Sequence, residues 1–143
     1  GLKAQLRDAK LKGARTVELP QPLSKGWFFA PCVVLKTTPK MKVLTEEVFG
    51  PLAPIVVVKN EDEAIAAANN TEYGLGAAIW TKDTGRAERL ARRIDAGFVA
   101  VNDMVRSDPR LPFGGVKKSG VGRELSHYGL REFVNIKTVV VKE

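Results

Sequence analysis

Two residue types on which metal sites and nucleophilic catalysis depend are almost missing: the chain has one cysteine, Cys32, and one histidine, His127. One cysteine closes no internal disulfide, and one of each supplies no zinc site of the usual spacing, so no self-contained structural metal is expected. Long hydrophobic runs are missing as well. The apolar stretches fall well short of the ~18 residues that cross a bilayer, and no signal-peptide pattern is seen, so the expectation is a cytoplasmic protein with no membrane partner. Aromatic residues are few and never stud a basic stripe. The excess of 23 Lys and Arg over 16 Asp and Glu gives a formal charge of +7. The basic residues nevertheless sit among acids, as in Arg86, Glu88, Arg89, Arg92, Arg93 and Asp95, so no nucleic-acid partner is expected. The charge fits a solvated surface, or a site that handles anionic substrates or cofactor phosphates.

What is present reads as one α/β chain of 143 residues, enough for one ordinary domain. Leu2, Leu6 and Ala9 recur at helical spacing with Gly13 as a stop, predicting an amphipathic helix over residues 2 to 13. Thr16 to Leu19 reads as a short strand, Pro20 to Gly26 as a loop, and Trp27 to Leu35 as extended chain broken by Pro31. Leu52 to Lys59 is so continuously apolar that burial on both faces is expected. Asn60 with Glu63 has the form of a capping box opening a helix to about Asn69. Gly76 to Thr81 is the next strand. Asp83 caps a helix whose stripe is Ala87, Leu90, Ala91 and Ile94, and Phe98 to Val101 follows as a strand. Strands alternating with helices a few residues apart predict a mostly parallel sheet with flanking helices. Residues 103 to 122, rich in Pro and Gly, form a loop long enough to be functional. Ser126 to Val134 reads as a closing helix, and Asn135 to Glu143 as a Val-rich strand suited to pairing with another subunit.

Taken one at a time, the motifs are weak. Thr45 to Pro51, T-E-E-V-F-G-P, reads alone as a core plug at Phe49 followed by a turn, with the acids solvated. The stretch Gly114 to Glu124 fails the phosphate-loop test, because Val121 stands where a lysine is required; its glycines read better as tight turns and close backbone approaches. Cys32 and His127 are a conceivable nucleophile pair, although a small thiol in a strand-like run is usually buried packing.

Taken together they resemble one family. Thr45 to Pro51, Asn69 to Thr81 (N-N-T-E-Y-G-L-G-A-A-I-W-T), Ala96 to Asn102 (A-G-F-V-A-V-N), Leu111 to Ser126 (L-P-F-G-G-V-K-K-S-G-V-G-R-E-L-S) and Tyr128 to Val139 are similar, in order and spacing, to the C-terminal third of NAD(P)-dependent aldehyde dehydrogenases. The stretch from Arg106 to Gly129 most resembles the succinate-semialdehyde branch. The resemblance implies a partial catalytic domain over residues 1–134 and an oligomerisation arm over 135–143. It also implies that Glu47 accepts hydrogen bonds from the nicotinamide ribose hydroxyls of NAD or NADP, and that Phe49 packs beside that ribose. A carboxylate can accept two hydroxyls at once, and an aromatic face shields a hydride-transfer site.

By the same resemblance Phe113 lines the substrate funnel, and Arg106 and Ser107 belong to the substrate-selective segment, with Ser107 holding a substrate carboxylate. Asn69 to Thr71 and Lys117 to Glu124 are implied supports. In the family a cysteine thiolate attacks the aldehyde, hydride passes to NAD(P), and water releases the acid. The motifs carrying that cysteine, the general-base glutamate, the oxyanion asparagine and the cofactor domain have no counterpart in this sequence, and Cys32 does not align with the nucleophile. Activity and cofactor affinity of this chain alone are therefore expected to be weak or nil. Three readings stand: a half-length aldehyde dehydrogenase-like protein, an esterase using Cys32 with His127, or a non-catalytic module that docks on itself or on a full-length aldehyde dehydrogenase.

Overall fold

The structure, a computed structural model, describes residues 1–20 and 25–143, so part of the expected Pro20–Gly26 loop lies outside the described residues. The chain forms two compact units, Gly1–Ala67 and Ala68–Glu143.

In the first unit α1 (Leu2–Leu11) is followed by β1 (Arg15–Glu18), β2 (Cys32–Leu35), α2 (Lys42–Thr45) and β3 (Leu52–Pro54), before α3 (Glu61–Asn69) begins. The sheet order is β1-β2-β3. β1 runs antiparallel to β2 with Glu18 opposite Cys32, and β3 runs parallel to β2 with Leu52 opposite Cys32. Cys32 and Val34 share a face because side chains alternate along a strand. They meet Ala9 of α1 together with Met41, Val43 and Leu52, while Leu2, Leu6 and Val48 pack around this core. At α3 the capping box forms with a shift: Asn60 Oδ1 accepts from the Glu63 amide at 2.9 Å, and Glu63 reaches back to the Lys59 amide at 2.7 Å.

The second unit contains β4 (Tyr73–Gly74), β5 (Gly76–Ile79), α4 (Thr84–Ala91), β6 (Phe98–Val101), β7 (Val116–Lys117) and α5 (Ser126–Arg131). β5, α4 and β6 make the expected parallel crossover, with Gly76 opposite Phe98 and Ile79 opposite Val101. β4 pairs antiparallel with β7. Asp83 caps α4 by accepting from the Arg86 amide at 2.8 Å, and Ala87 and Ala100 are buried on the facing sides of α4 and β6.

The α/β class and the parallel pairs agree with the sequence reading, and three details differ. The strands lie in three small sheets among the described residues, with antiparallel pairs beside the parallel ones. The run from Leu52 to Lys59 is a strand only to Pro54, and Val56 and Val57 are exposed. β3 is an edge strand here, so the double-sided burial implied by its apolar character has no covering partner among the described residues. Asn135–Glu143 forms no strand with described residues of the chain; Ile136, Val139, Val140 and Val141 stand exposed. A strand exists only through its partner's hydrogen bonds, and this segment has none with a partner strand among the described residues.

Candidate functional site

The acidic motif Thr45–Pro51 sits at the end of α2, and α1 grips it from below. Asp8 accepts a hydrogen bond from the Lys42 amide at 2.9 Å, satisfying a donor at the start of α2. Lys12 Nζ donates to the Lys40 carbonyl at 2.6 Å and to Asp8 at 3.0 Å. The ammonium of Lys12, followed by the Lys42 amide, holds the Asp8 carboxyl below its usual range. Further along α1, the buried Gln5 donates from Nε2 to the Glu47 carbonyl at 3.0 Å and to Glu46 Oε2 at 3.4 Å. Gly50 then turns the chain at φ 153°, where a Cβ would stand 2.3 Å from Leu2 Cδ1.

This grip leaves the candidate side chains of Glu47 and Phe49 outside. Glu46 is extended, with φ −112° and ψ 155°, so it and Glu47 point to opposite sides. Glu46 also pairs with Lys42 at 3.3 Å. The Glu47 carboxylate is exposed and engages no donor among the described residues. Phe49 is 80% exposed, which overturns the core-plug reading of that ring. An exposed carboxylate two residues away from a bare aromatic face suits a ligand that offers hydroxyls and a flat ring.

In the second unit the substrate-segment candidates come from one loop. Asn102, in the left-handed region at φ 54°, bridges the end of β5. Its side-chain amide donates to the Thr81 carbonyl at 2.8 Å and accepts from the Thr81 amide at 2.9 Å. Val105 packs over Gly76, where a Cβ would come within 2.6 Å of its methyl. Between these anchors and Pro112, Arg106 and Ser107 are exposed. Arg106 pairs with Asp103 at 3.0 Å. Arg110 is forked onto Asp108 through Nε at 3.0 Å and Nη2 at 2.7 Å. That fork, with the Arg110 amide, drives the Asp108 carboxyl far below its ordinary range.

Phe113 is fixed at the far end of the loop. Its amide and carbonyl exchange hydrogen bonds with Glu124 at 2.8 and 2.7 Å, and its ring is tilted against Phe98 with centroids 6.2 Å apart. It lines an open cavity of about 400 Å³ together with Leu75, Ser119, Val121, Arg123 and Phe133. The glycine stretch behaves as a tight-packing element. A Cβ on Gly97 would lie 1.7 Å from the Gly114 carbonyl oxygen, and Arg123 ties the carbonyls of Gly115 and Gly122 at 2.9 and 2.6 Å. Of the residues expected as supports, Asn69 spans the Arg93 carbonyl and the Asp95 amide, both at 2.8 Å, and Lys117 donates to the carbonyl of Asn69 at 2.9 Å.

The alternative pair gains no support. Cys32 is buried in the first unit, and desolvation, followed by the charge of Glu18, raises its thiol pKa, the reverse of what activates a nucleophile. His127 belongs to the second unit, where its ring lies on Tyr128 at 4.1 Å. Gln5 and Asp8 escaped the sequence reading. Their signal was there, since both interrupt the Leu2, Leu6, Ala9 side of the first helix with polar groups.

Comparison with known proteins bears on the same residues. Residues 1–139 match the aldehyde dehydrogenase family. The chain is 49% identical over 139 residues to a succinate-semialdehyde dehydrogenase [NADP(+)] of Deinococcus radiodurans, covering 96% of this chain and 29% of that protein. It is 46% identical over 137 residues to an aldehyde dehydrogenase of Paenarthrobacter nicotinovorans, covering 94% of this chain and 30% of that protein. Among solved structures, betaine aldehyde dehydrogenase of Staphylococcus aureus in complex with NAD+ superposes with a TM-score of 0.85 at 37% identity, over 92% of this chain and 27% of that one. The chain thus spans less than a third of the length of the relatives it matches.

Proposed function

The chain belongs to the aldehyde dehydrogenase family, and on that premise we propose that it supplies two parts of an NAD(P)-dependent aldehyde-oxidising site. One is the clamp on the nicotinamide ribose, Glu47 with Phe49. The other is the substrate-facing loop carrying Arg106, Ser107 and Phe113, for succinate semialdehyde or a similar aldehyde acid. The nucleophilic thiol and the rest of the cofactor cleft come from parts of the family architecture that this chain does not represent. When bound, the nicotinamide supplies the hydride acceptor.

The observation that carries this reading is the exposed carboxylate of Glu47, which engages no donor among the described residues, two positions before the bare ring of Phe49 on a segment whose backbone is fixed from α1. Both carboxylate oxygens remain available for a vicinal diol, and the ring offers a flat apolar wall. At the loop, Arg106 is the better guanidinium for a carboxylate-bearing substrate, because Arg110 already spends its fork on Asp108.

One ribose contact cannot offset much association entropy, so the chain alone should bind nicotinamide mononucleotide at about millimolar Kd. In an NMR titration of the full chain, the amides of Glu47, Val48 and Phe49 should shift with the mononucleotide and not with nicotinamide alone. Glu47→Gln should weaken binding at least tenfold, as expected for loss of a charged acceptor, roughly 1.5–3 kcal/mol. Equal affinity in Glu47→Gln would sink the clamp.

A second reading rests on the exposed apolar residues Phe133, Ile136, Val139, Val140 and Val141. Residues 135–143 are proposed to add as a strand to another chain, a second copy or a longer member of the family. Light scattering of the full chain against a version ending at residue 134 tests it, and equal masses for the two would reject it.

A further inference from the structure

We propose that Gln5 is a positioning residue for the nicotinamide-ribose clamp, acting by holding the main-chain carbonyl of Glu47; the proposal rests on the reading of Glu47 as the ribose-binding acid. Among the described residues Gln5 is the buried polar side chain, 4% exposed in an otherwise apolar core. A buried amide is stable only where its hydrogens are used, and a leucine or methionine would fill the same place on α1 without that demand. Gln5 Nε2 uses both hydrogens on the acidic motif, one on the Glu47 carbonyl and one on Glu46 Oε2.

The two adjacent acids thereby divide their tasks. Glu46 is engaged by Gln5 on the core side and by Lys42 at the surface. Because the backbone there is extended, fixing Glu46 and the Glu47 carbonyl fixes the direction in which the Glu47 carboxylate leaves the surface. The free acid is thus aimed from beneath, through a contact 42 residues away in sequence. Without the bond, the carboxylate would have to be ordered by its ligand at the moment of binding, which weakens affinity.

The test uses the full chain and three variants. Gln5→Met keeps the volume and removes the donors; Gln5→His keeps a donor; Glu47→Gln removes the charge and one of the two acceptor oxygens offered to the ribose. In Gln5→Met, amide hydrogen exchange at Glu47, Val48 and Phe49 should rise about tenfold while that in β1–β3 is unchanged. The Kd for nicotinamide mononucleotide should rise about fivefold, and Gln5→His should recover at least half of that loss. Glu47→Gln should weaken binding at least tenfold and leave exchange as in the wild type. In the wild-type chain, saturation with the mononucleotide should also move the Gln5 side-chain amide resonance, a reading that needs no variant to fold. If Gln5→Met binds as the wild type does while Glu47→Gln does not, or if the Gln5 resonance stays still at saturation, the positioning role is overturned and the clamp stands. If Glu47→Gln binds as the wild type does, the clamp fails and the proposal falls with it.

Discussion

The segment that carries Glu47 and the glycine-rich loop that follows Phe113 are both held in irregular conformations, by opposite means. The first is gripped by side chains from a helix far away in sequence, with Gln5, Asp8 and Lys12 each taking a main-chain group. The second is held by backbone lying directly on backbone. Gly97 faces the Gly114 carbonyl with no room for a methyl, and a Cβ on Gly115 would stand 2.4 Å from the Ser119 Cβ and 3.0 Å from its main chain. Side-chain grips are replaceable one at a time and respond to protonation. Glycine contacts are indifferent to pH and tolerate almost no added atom.

Three experiments would break or sharpen that contrast. The largest effect is expected for Gly97→Ala. Its Cβ would collide with main chain that has nowhere to turn, so the variant should lose about 3 kcal/mol in a denaturant titration, with exchange protection lost first around Phe98 and Phe113. A nearly unchanged midpoint would mean that the glycine contact is slack.

Next comes Arg123→Met, which removes the one guanidinium grip on the glycine loop and leaves the carbonyls of Gly115 and Gly122 without that donor. A loss of about 2 kcal/mol is expected. A loss as large as that of Gly97→Ala would blur the distinction, because the loop would then depend on a side chain as much as on close packing.

The smallest effect is the pH response of Asp8. Its carboxyl is held below the ordinary value of 3.8 by Lys12 first and the Lys42 amide second. A depressed carboxylate contributes stability that is present above the unfolded value and is lost as pH falls through the folded one. Exchange at the Lys42 amide should therefore speed up a few-fold as pH drops below about 3.8, once intrinsic rates are allowed for. The amide of Phe113 should show no matching step. In Asp8→Asn the Lys42 step should vanish.

The same contrast explains what the sequence alone could reveal. Asp83 announces its helix because a cap needs only the next three residues, and the Asp103–Arg106 and Asp108–Arg110 pairs are equally local. The parallel crossover from β5 to β6 follows from apolar periods in neighbouring segments. What stayed hidden is non-local. Nothing near Gly97 says that Gly114 will lie against it, and nothing near Glu47 names Gln5. Leu52–Lys59 misled in the other direction: its apolar run describes a buried strand, yet only Leu52–Pro54 forms one here. The exposure of Phe49 was legible only through the resemblance of the whole motif series, since a lone phenylalanine before Gly-Pro reads as packing.

The side-chain bridge of Asn102 to Thr81, with Val105 seated over Gly76, closes off the scaffold immediately before Arg106. Residues 106 to 111 leave those anchors and are tied back at Pro109, whose carbonyl accepts from the Ser126 amide at 3.0 Å. Under the proposal that this loop faces substrate, moving the hexapeptide into a full-length relative should shift that relative's aldehyde preference, and the melting temperature should hold only where residue 109 keeps its bond to Ser126.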